Sequence, residues 1–467
     1  MRTRHLWLAV LLAAVLARLL TLSAYPLYDT TEARYAEIAR LMVVSGDWIT
    51  PQIDMGVPFW AKPPLSTWLT AASFKMLGFS EFAARLPAFL LMLVTALVTF
   101  RFGRTLFSDK AAIVACAILF TSALGFVAAG AVMTDAALLL STTLSLASFG
   151  LLIREPNSIA RYGFFVGLGL GLLAKGPIAL LLVGLPVLIW TLWFRKLLWL
   201  WHEIPWLSGS ALMLVIAVPW YLLAEINTPG FLEYFLIGEH WLRFVESGWQ
   251  GDLYGSAHAQ PRGTIWLYAI AAALPWSIFA IYAIAKGFKS RSISTSLTPV
   301  QGLLLLWALA PILFFTFAGN ILAAYVLPGL PAFALLLGDW LSRRSYSTAH
   351  AGWLVPGLIV AAAMSGFFDA HVHKSQQGLI DYYYQNSASS TLYYFPVPPH
   401  SATFYSRGRV RSLQSDKDWL TYLATENAGS VAMRKRKQGD IPSDAKDCME
   451  VERQFYDYVL MHRRDAC

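Results

Sequence analysis

At 467 residues, with 57% of them hydrophobic and only 14% charged, the chain is too apolar for a soluble protein, in which apolar usage runs nearer ~45–50% and charged usage ~25%. Its net charge of +8 would suit a nucleic-acid binder, but the basic residues sit in short connections between apolar runs, the placement expected of membrane loops. A mean hydropathy of +0.52 and many windows of the ~20 apolar residues that a bilayer core requires point to an α-helical polytopic membrane protein.

The first apolar run, 5–25, follows Arg2 and Arg4 and contains Arg18. No small-x-small cleavage signature follows it, so it reads as an uncleaved first helix. Arg18 is costly against lipid and is expected to face protein or water, or to snorkel to an interface. Ten further spans are expected near 83–100, 111–131, 134–152, 162–175, 177–194, 206–224, 263–285, 300–318, 321–341 and 351–368. Alternate connections then hold Arg2 and Arg4; Arg101, Arg104 and Lys110; Arg154 and Arg161; Arg195 and Lys196; Lys286, Lys289 and Arg291; and Arg343 and Arg344. That is the positive-inside pattern. It makes about 11 spans, with the N-terminus cytoplasmic and the C-terminus outside.

The outer connections are two long loops, 26–82 and 225–262, and tight turns at Met133-Thr134-Asp135, Lys175-Gly176-Pro177 and Gly319-Asn320. Residues 1–368 read as a membrane domain. From Asp369 the composition turns polar and aromatic, and 369–467 reads as a small C-terminal α/β domain outside the membrane. Strands are expected at Leu392–Phe395, Ser430–Met433, Cys448–Phe455 and Tyr456–Met461, with a helix from Ser415 that carries Asp416 and Asp418 in its first turn. An oxidising compartment permits a Cys448–Cys467 disulfide, while Cys116 lies in a span. No metal-ligand spacing is present. Glycines 163, 167, 169 and 171 fall in an apolar helix, where they favour close helix packing and have no preceding strand to make a phosphate loop.

Mixed-sign polar residues collect in the outer connections. Asp29, Glu32, Arg34, Glu37 and Arg40 fall within twelve residues at spacings that suit one short helix. For Glu37 and Arg40 the simple expectation is a solvated face of an interfacial helix. Asp29, Glu32 and Arg34 sit where the first span leaves the membrane, a place better suited to chemistry. Lys62 lies between Phe59-Trp60 and Pro63-Pro64. The proline after it keeps its backbone out of helical geometry, so the ammonium is aimed, as a phosphate ligand requires. Asp135 is either a helix N-cap or an acid at a functional site, since burying it unpartnered costs several kcal/mol. Lys175 could meet a phosphate or a lipid headgroup. His240 and Arg243 share a helix face at i,i+3, and Tyr325 brings a hydroxyl to the same side.

Taken together, these segments resemble the lipid-donor glycosyltransferases of the GT-C fold, above all the aminoarabinose transferases that modify lipid A and the protein O-mannosyltransferases. The matching pieces are Glu32-x-Arg34-Tyr35-Ala36-Glu37-Ile38, Ser45-Gly46-Asp47-Trp48-Ile49-x-Pro51, Lys62-Pro63-Pro64-Leu65, Lys175-Gly176-Pro177, Glu239-His240-x-x-Arg243-Phe244 and Tyr325-x-x-Pro328. They run in order over roughly 20–340. The resemblance implies transfer of a sugar, such as 4-amino-4-deoxy-L-arabinose, from a polyprenyl monophosphate to lipid A, an envelope glycan or a protein, at the periplasmic face of the bacterial inner membrane. It implies no cofactor or metal.

By the same resemblance Lys62 and Arg243, with Tyr325, hold the donor phosphate, joined by Arg34, Lys175 and His240 from the charge pattern. Asp29, Glu32 and Asp135 are the candidate catalytic acids. The family has an acidic pair where this chain has Thr31-Glu32, so either Asp29 supplies the second acid or Glu32 acts alone. A hydroxyl acceptor needs a general base within hydrogen-bond reach; a phosphate acceptor is already ionised and needs none. The competing classes are a secondary transporter, against which the lack of an internal repeat argues, and a non-catalytic lipid-binding membrane protein.

Overall fold

The computed structural model describes residues 2–255, 258–289, 297–344, 348–365, 374–386, 391–425 and 429–464. Arg291, the expected boundary residue Asp369, and Cys467 lie outside the described residues.

Each of the eleven apolar segments contains a helix. In chain order the first elements are α1 (Arg2–Thr21), α2 (Thr31–Ser45), α3 (Leu65–Leu77), α4 (Glu81–Leu106), α5 (Asp109–Thr121), α6 (Ala123–Ala128), α7 (Asp135–Arg154), α8 (Ser158–Lys175) and α9 (Ile178–Trp193). Polar caps set several starts. Ser80 accepts from the Ala83 amide, Ser108 from that of Ala111, and Asn157 from those of Ile159 and Ala160, satisfying amides that helix geometry leaves free.

Among the described residues, five helices are long and apolar enough to cross a bilayer: Thr3–Thr21, Glu81–Leu106, Asp135–Arg154, Trp206–Asn227 and Ala323–Ser342. A sixth candidate is the pair Thr264–Ala272 and Trp276–Lys286, bent by 106°. Ile178–Trp193, Pro299–Phe315 and Ala349–Met364 are apolar but shorter. The expected span 111–131 is broken between α5 and α6 at Ser122, whose backbone is extended (φ −74°, ψ 147°). Its hydroxyl donates to the Leu119 carbonyl, and the Ala123 amide leaves the helix for the Leu274 carbonyl. Apolar length in the sequence thus overstates helix length wherever a side chain or a second segment takes over a backbone bond. The chain is a mostly helical, multi-pass membrane protein.

The interior is held by small residues. A Cβ on Gly167 would lie 2.2 Å from Ser145 Oγ, and one on Gly171 would lie 2.6 Å from the Ala179 Cβ. The glycine run of α8 is therefore what lets it pack directly on α7 and α9. Ser141, Thr142 and Thr143 of α7 donate to carbonyls one turn back, those of Ala137, Leu138 and Leu139, and Ser145 donates to the Phe164 carbonyl of α8, so these buried hydroxyls are satisfied. Arg18 faces protein: it donates to the Tyr25 hydroxyl at 3.2 Å and to the Val127 carbonyl at 3.2 Å.

The polar C-terminal region builds a five-stranded sheet from β3 (Tyr393–Phe395), β4 (Arg411–Ser412), β5 (Val431–Arg434), β6 (Met449–Phe455) and β7 (Tyr458–Arg463), in the order β4-β3-β5-β7-β6. A two-stranded ribbon in the first long loop supplies β1 (Gln52–Asp54) and β2 (Val57–Pro58). β3 runs parallel to β4 and β5, and β7 antiparallel to β5 and β6. The helix after Ser415 forms, with a capping box between Ser415 and Asp418. The short edge strand β4 and the Gln377–Asn386 and His400–Tyr405 helices had no clear sequence signal. Cys448 is disulfide-bonded, and Cys116 is a buried free thiol.

This region is latched to the first long loop. Tyr405 accepts from the Leu27 amide at 2.7 Å and donates to Glu81 at 2.9 Å. Phe404 packs on Phe74 with ring centres 5.8 Å apart. Glu37 and Arg40 differ from the solvated pair expected of them: both are buried and form a bidentate pair at 2.7 Å. Burial raises the Glu37 carboxyl above its usual range, although Arg40 opposes the shift. Gly408 (φ 77°) lies against that guanidinium, and a Cβ there would come within 2.9 Å of Arg40 Nη2. The docking of the C-terminal region thus requires a glycine at 408 and explains why these charges avoid water.

Candidate active site where the two long loops meet

Lys62 arrives on the bend before Pro63-Pro64, and its ammonium donates to the Ala61 carbonyl (2.6 Å) and to Glu239 Oε2 (2.8 Å). Glu239 lies in a nine-residue π-helix, Tyr234–Leu242. Such widened turns are rare and concentrate at functional sites. Arg243 follows directly, and its Nη1 reaches Glu239 Oε1 at 2.9 Å and Asp252 Oδ2 at 3.2 Å. Asn320 fixes that end of the segment by donating to the carbonyls of Arg243 and Glu246, both at 2.6 Å.

Two cations and two carboxylates therefore form one buried cluster of zero formal charge. Burial alone would raise the Glu239 carboxyl, but the Lys62 ammonium and the Arg243 guanidinium overcome it and hold the group below the usual carboxylate range. Burial works against the Arg243 charge, and Glu239, Tyr325 and Asp252 more than restore it. Arg243 Nε is buried and has no partner among the described residues. A buried donor without an acceptor is costly, and here it leaves a hydrogen bond open.

A second pair borders this cluster. Lys175, the last residue of α8, bonds Asp135, the first of α7, at 2.5 Å. The same ammonium stands 4.8 Å from the centre of the Tyr325 ring. The turn after Lys175 needs Gly176 (φ 81°), since a Cβ there would strike Phe235 at 2.5 Å. His240 links the two halves, with Nδ1 2.8 Å from the Phe235 carbonyl and Nε2 3.1 Å from the Lys175 carbonyl. Burial lowers its pKa, and a neutral imidazole donates through only one nitrogen. His240 is thus a strut between the π-helix and the Lys175 turn, in place of the phosphate ligand expected from the sequence.

Three further placements differ from the sequence reading. Glu32 is not a free acid: Arg85 Nη2 and Nε reach its two oxygens at 2.8 and 3.1 Å, and the Val132 amide adds a third bond. Asp29 turns toward the C-terminal region, accepting from the Ser401 amide at 3.0 Å and from its hydroxyl. Arg34 donates to the Tyr254 carbonyl at 2.6 Å and forms no ion pair with the Lys62–Glu239–Arg243 cluster among the described residues. Lys62, Lys175, Arg243, Tyr325 and Asp135 are brought together. Sequence reasoning missed Glu239 as the hub, although it stands in the Glu239-His240-x-x-Arg243 motif. It also missed Arg85, which a search for charges inside apolar spans would have found, and Asp252 and Tyr254, which carry no motif.

The Asp29 carboxyl is raised from 3.8 to about 6, burial outweighing the Ser401 bonds and the Arg434 charge. Because the folded value is the higher one, docking favours the protonated acid. The contribution is largest below about pH 4 and falls as pH rises through about 6. The native chain should show a pH-dependent step in hydrogen exchange of the 399–405 segment between pH 4 and 7, and Asp29→Asn, which imitates the neutral acid, should lose it. An identical step in both proteins would remove Asp29 as its source.

The protein-family model for dolichyl-phosphate-mannose-protein mannosyltransferases matches residues 4–235. An undecaprenyl phosphate-α-4-amino-4-deoxy-L-arabinose arabinosyl transferase of Pseudomonas savastanoi pv. phaseolicola is 32% identical over 78% of this chain and 66% of its own. That of Aeromonas hydrophila is 30% identical over 68% of this chain and 57% of its own. The chain belongs to this GT-C family. It spans less than two thirds of the length of those relatives. In fold it is similar over 97% of both chains to the crystal structure of ArnT from Cupriavidus metallidurans bound to undecaprenyl phosphate, with TM-score 0.78 at 20% identity. Within this GT-C chain, Lys62 lies inside the matched region, and Arg243 and Tyr325 lie beyond it.

Proposed function

We propose that the chain is a glycosyltransferase of the bacterial inner membrane that moves a sugar from a polyprenyl monophosphate to a phosphorylated glycolipid acceptor such as lipid A. The names of the relatives support 4-amino-4-deoxy-L-arabinose as the sugar and undecaprenyl phosphate as the carrier. In this reading all eleven segments cross or enter the membrane, the N-terminus is cytoplasmic, and residues 369–467 form a periplasmic domain over the site. No metal has a role in it.

The observation that carries the reading is the pair Lys62 and Arg243, fixed around Glu239, with Arg243 Nε buried and unpartnered among the described residues. As the glycosidic bond to the carrier breaks, the leaving phosphate gains a negative charge. Cations already in place in a site screened from water stabilise that charge without reorganisation. Lys62 and Arg243 exchange Glu239 for the phosphate oxygens, and Lys175 and Tyr325 flank the departing group. The acids support a phosphate acceptor over a hydroxyl one: Glu32 is held by Arg85, Asp29 by Ser401 and Asp135 by Lys175, so none is free to serve as the base that a hydroxyl requires.

Purified protein in lipid nanodiscs, given undecaprenyl-phosphate aminoarabinose and lipid A, should release undecaprenyl phosphate in step with modified lipid A, both read by mass spectrometry. Uptake of labelled substrate into sealed vesicles without release of free carrier would instead identify a transporter and overturn the proposal.

A further inference from the structure

Lys62 carries its charge on a long, flexible stem, so where the ammonium sits depends on what fixes the backbone just before it. On one side that backbone is held by the ribbon: β2 ends at Pro58, and the Phe59 amide donates to the Pro51 carbonyl at 2.7 Å. On the other side the support is a side chain from the second long loop. The Tyr254 hydroxyl accepts from the Trp60 amide at 3.0 Å and donates to the Pro58 carbonyl at 2.9 Å. A phenol is donor and acceptor at once, and here it makes both bonds that a neighbouring strand would otherwise make. The Phe59 ring meets the same phenol edge to face, with centres 4.7 Å apart.

Tyr254 is itself tied to the other cation. Its amide donates to Asp252 Oδ1 at 3.0 Å, and Oδ2 of that carboxylate bonds Arg243 at 3.2 Å. Its carbonyl accepts from Arg34 Nη1 at 2.6 Å, so Arg34 serves the cluster at one remove, as an anchor for Tyr254. The Leu253 amide donates to the Tyr234 hydroxyl at 3.2 Å, which donates in turn to Glu239 Oε1 at 3.4 Å. The Tyr234 and Tyr254 rings meet edge to face, 6.0 Å between centres. Segment 252–254 therefore reaches every part of the cluster. Asp252 holds Arg243, Leu253 reaches Glu239 through Tyr234, and Tyr254 fixes the backbone that leads to Lys62.

We propose that Tyr254 is a positioning residue for the donor phosphate: its hydroxyl sets Lys62 opposite Arg243, with the Asp252 carboxylate as the common reference for both cations. This rests on the transferase reading above and adds what holds the spacing of the clamp. Lys62 and Arg243 come from loops far apart in the chain, and a phosphate gains from both only when their separation is fixed in advance. Ordering them on arrival would subtract from the binding. Tyr254 acts through Lys62 and touches no substrate.

A double-mutant cycle on equilibrium binding of undecaprenyl phosphate, with full-length protein in nanodiscs, tests this without turnover. Tyr254→Phe keeps the ring and its contacts with Phe59 and Tyr234, and removes only the hydroxyl that bonds Trp60 and Pro58. It should weaken binding about tenfold, the scale of one or two net hydrogen bonds. In a Lys62→Ala background the same change should cost less than about twofold, because residues that act through one another are not additive. Unchanged affinity in Tyr254→Phe would overturn the proposal. So would an equal loss with and without Lys62, which would make Tyr254 a support of the fold at large. Failure of the transferase reading would look different: sugar transfer would be absent while carrier binding still showed the coupling of Tyr254 to Lys62. Additive losses in protein that still transfers sugar would instead remove the positioning role alone.

Discussion

Replacing Lys62 or Arg243 with alanine should cut sugar transfer by about 10²–10³-fold each, the loss typical when one fixed donor to a developing oxyanion is removed. The fall should be in turnover with every acceptor, because both residues act on the leaving phosphate. Their present partner predicts a contrasting variant. Glu239 makes the cluster neutral by holding both cations, so a donor phosphate must compete with it. Glu239→Gln keeps the shape and leaves the cluster with one net positive charge. Free undecaprenyl phosphate, the product, should then bind several-fold more tightly and leave more slowly, lowering turnover by retention of product. Binding of labelled undecaprenyl phosphate, measured beside steady-state rates, separates the two effects. Wild-type turnover in purified Lys62→Ala and Arg243→Ala would sink the phosphate clamp. Weaker product binding in Glu239→Gln would mean that Glu239 shapes the site and does not compete for it.

What the sequence disclosed depended on how local the cause was. Apolar runs and basic loops placed eleven segments that each contain a helix, since span length and loop charge are properties of single stretches. The break at Ser122 goes with a bond to a distant segment, Ala123 turning to Leu274, which no window reveals, whereas the 106° bend after Ala272 falls at Pro275, a local helix breaker. The same division governs the site. Lys62, Arg243 and Tyr325 were readable because prolines, a motif and a turn hold each in a distinctive local setting. Their partners were not. Asp252 is one acid in an unremarkable loop, and whether Glu32 meets a substrate or Arg85 depends on a helix that begins about fifty residues later. The number of acids near an interface was therefore a poor guide to how many are free to react.

Arg85 brings the second large effect, this time on stability. Its side chain is fully buried in α4 and donates to the carbonyls of Leu22, Tyr25 and Pro26 at 2.8–2.9 Å. It also forks onto Glu32 and lies 3.8 Å from the centre of the Tyr25 ring. One guanidinium thus closes the chain as it leaves α1 and fixes the start of α2, the segment that presents Asp29 and Arg34. Arg85→Ala would leave the Glu32 carboxylate with the Val132 amide alone and take this donor from three carbonyls, and losing one partner of a buried pair costs about 3–5 kcal/mol. We expect a large fall in the thermal midpoint of the detergent-solubilised protein. Arg85→Met combined with Glu32→Gln removes both charges and should recover much of that loss, because the penalty belongs to the stranded charge more than to the missing bridge. Glu32→Gln alone settles the older question about this acid. As the counter-ion of Arg85, its loss should lower the midpoint sharply and leave the protein that stays folded with near-native turnover. A catalytic acid would show the reverse: a nearly unchanged midpoint and a collapse in rate.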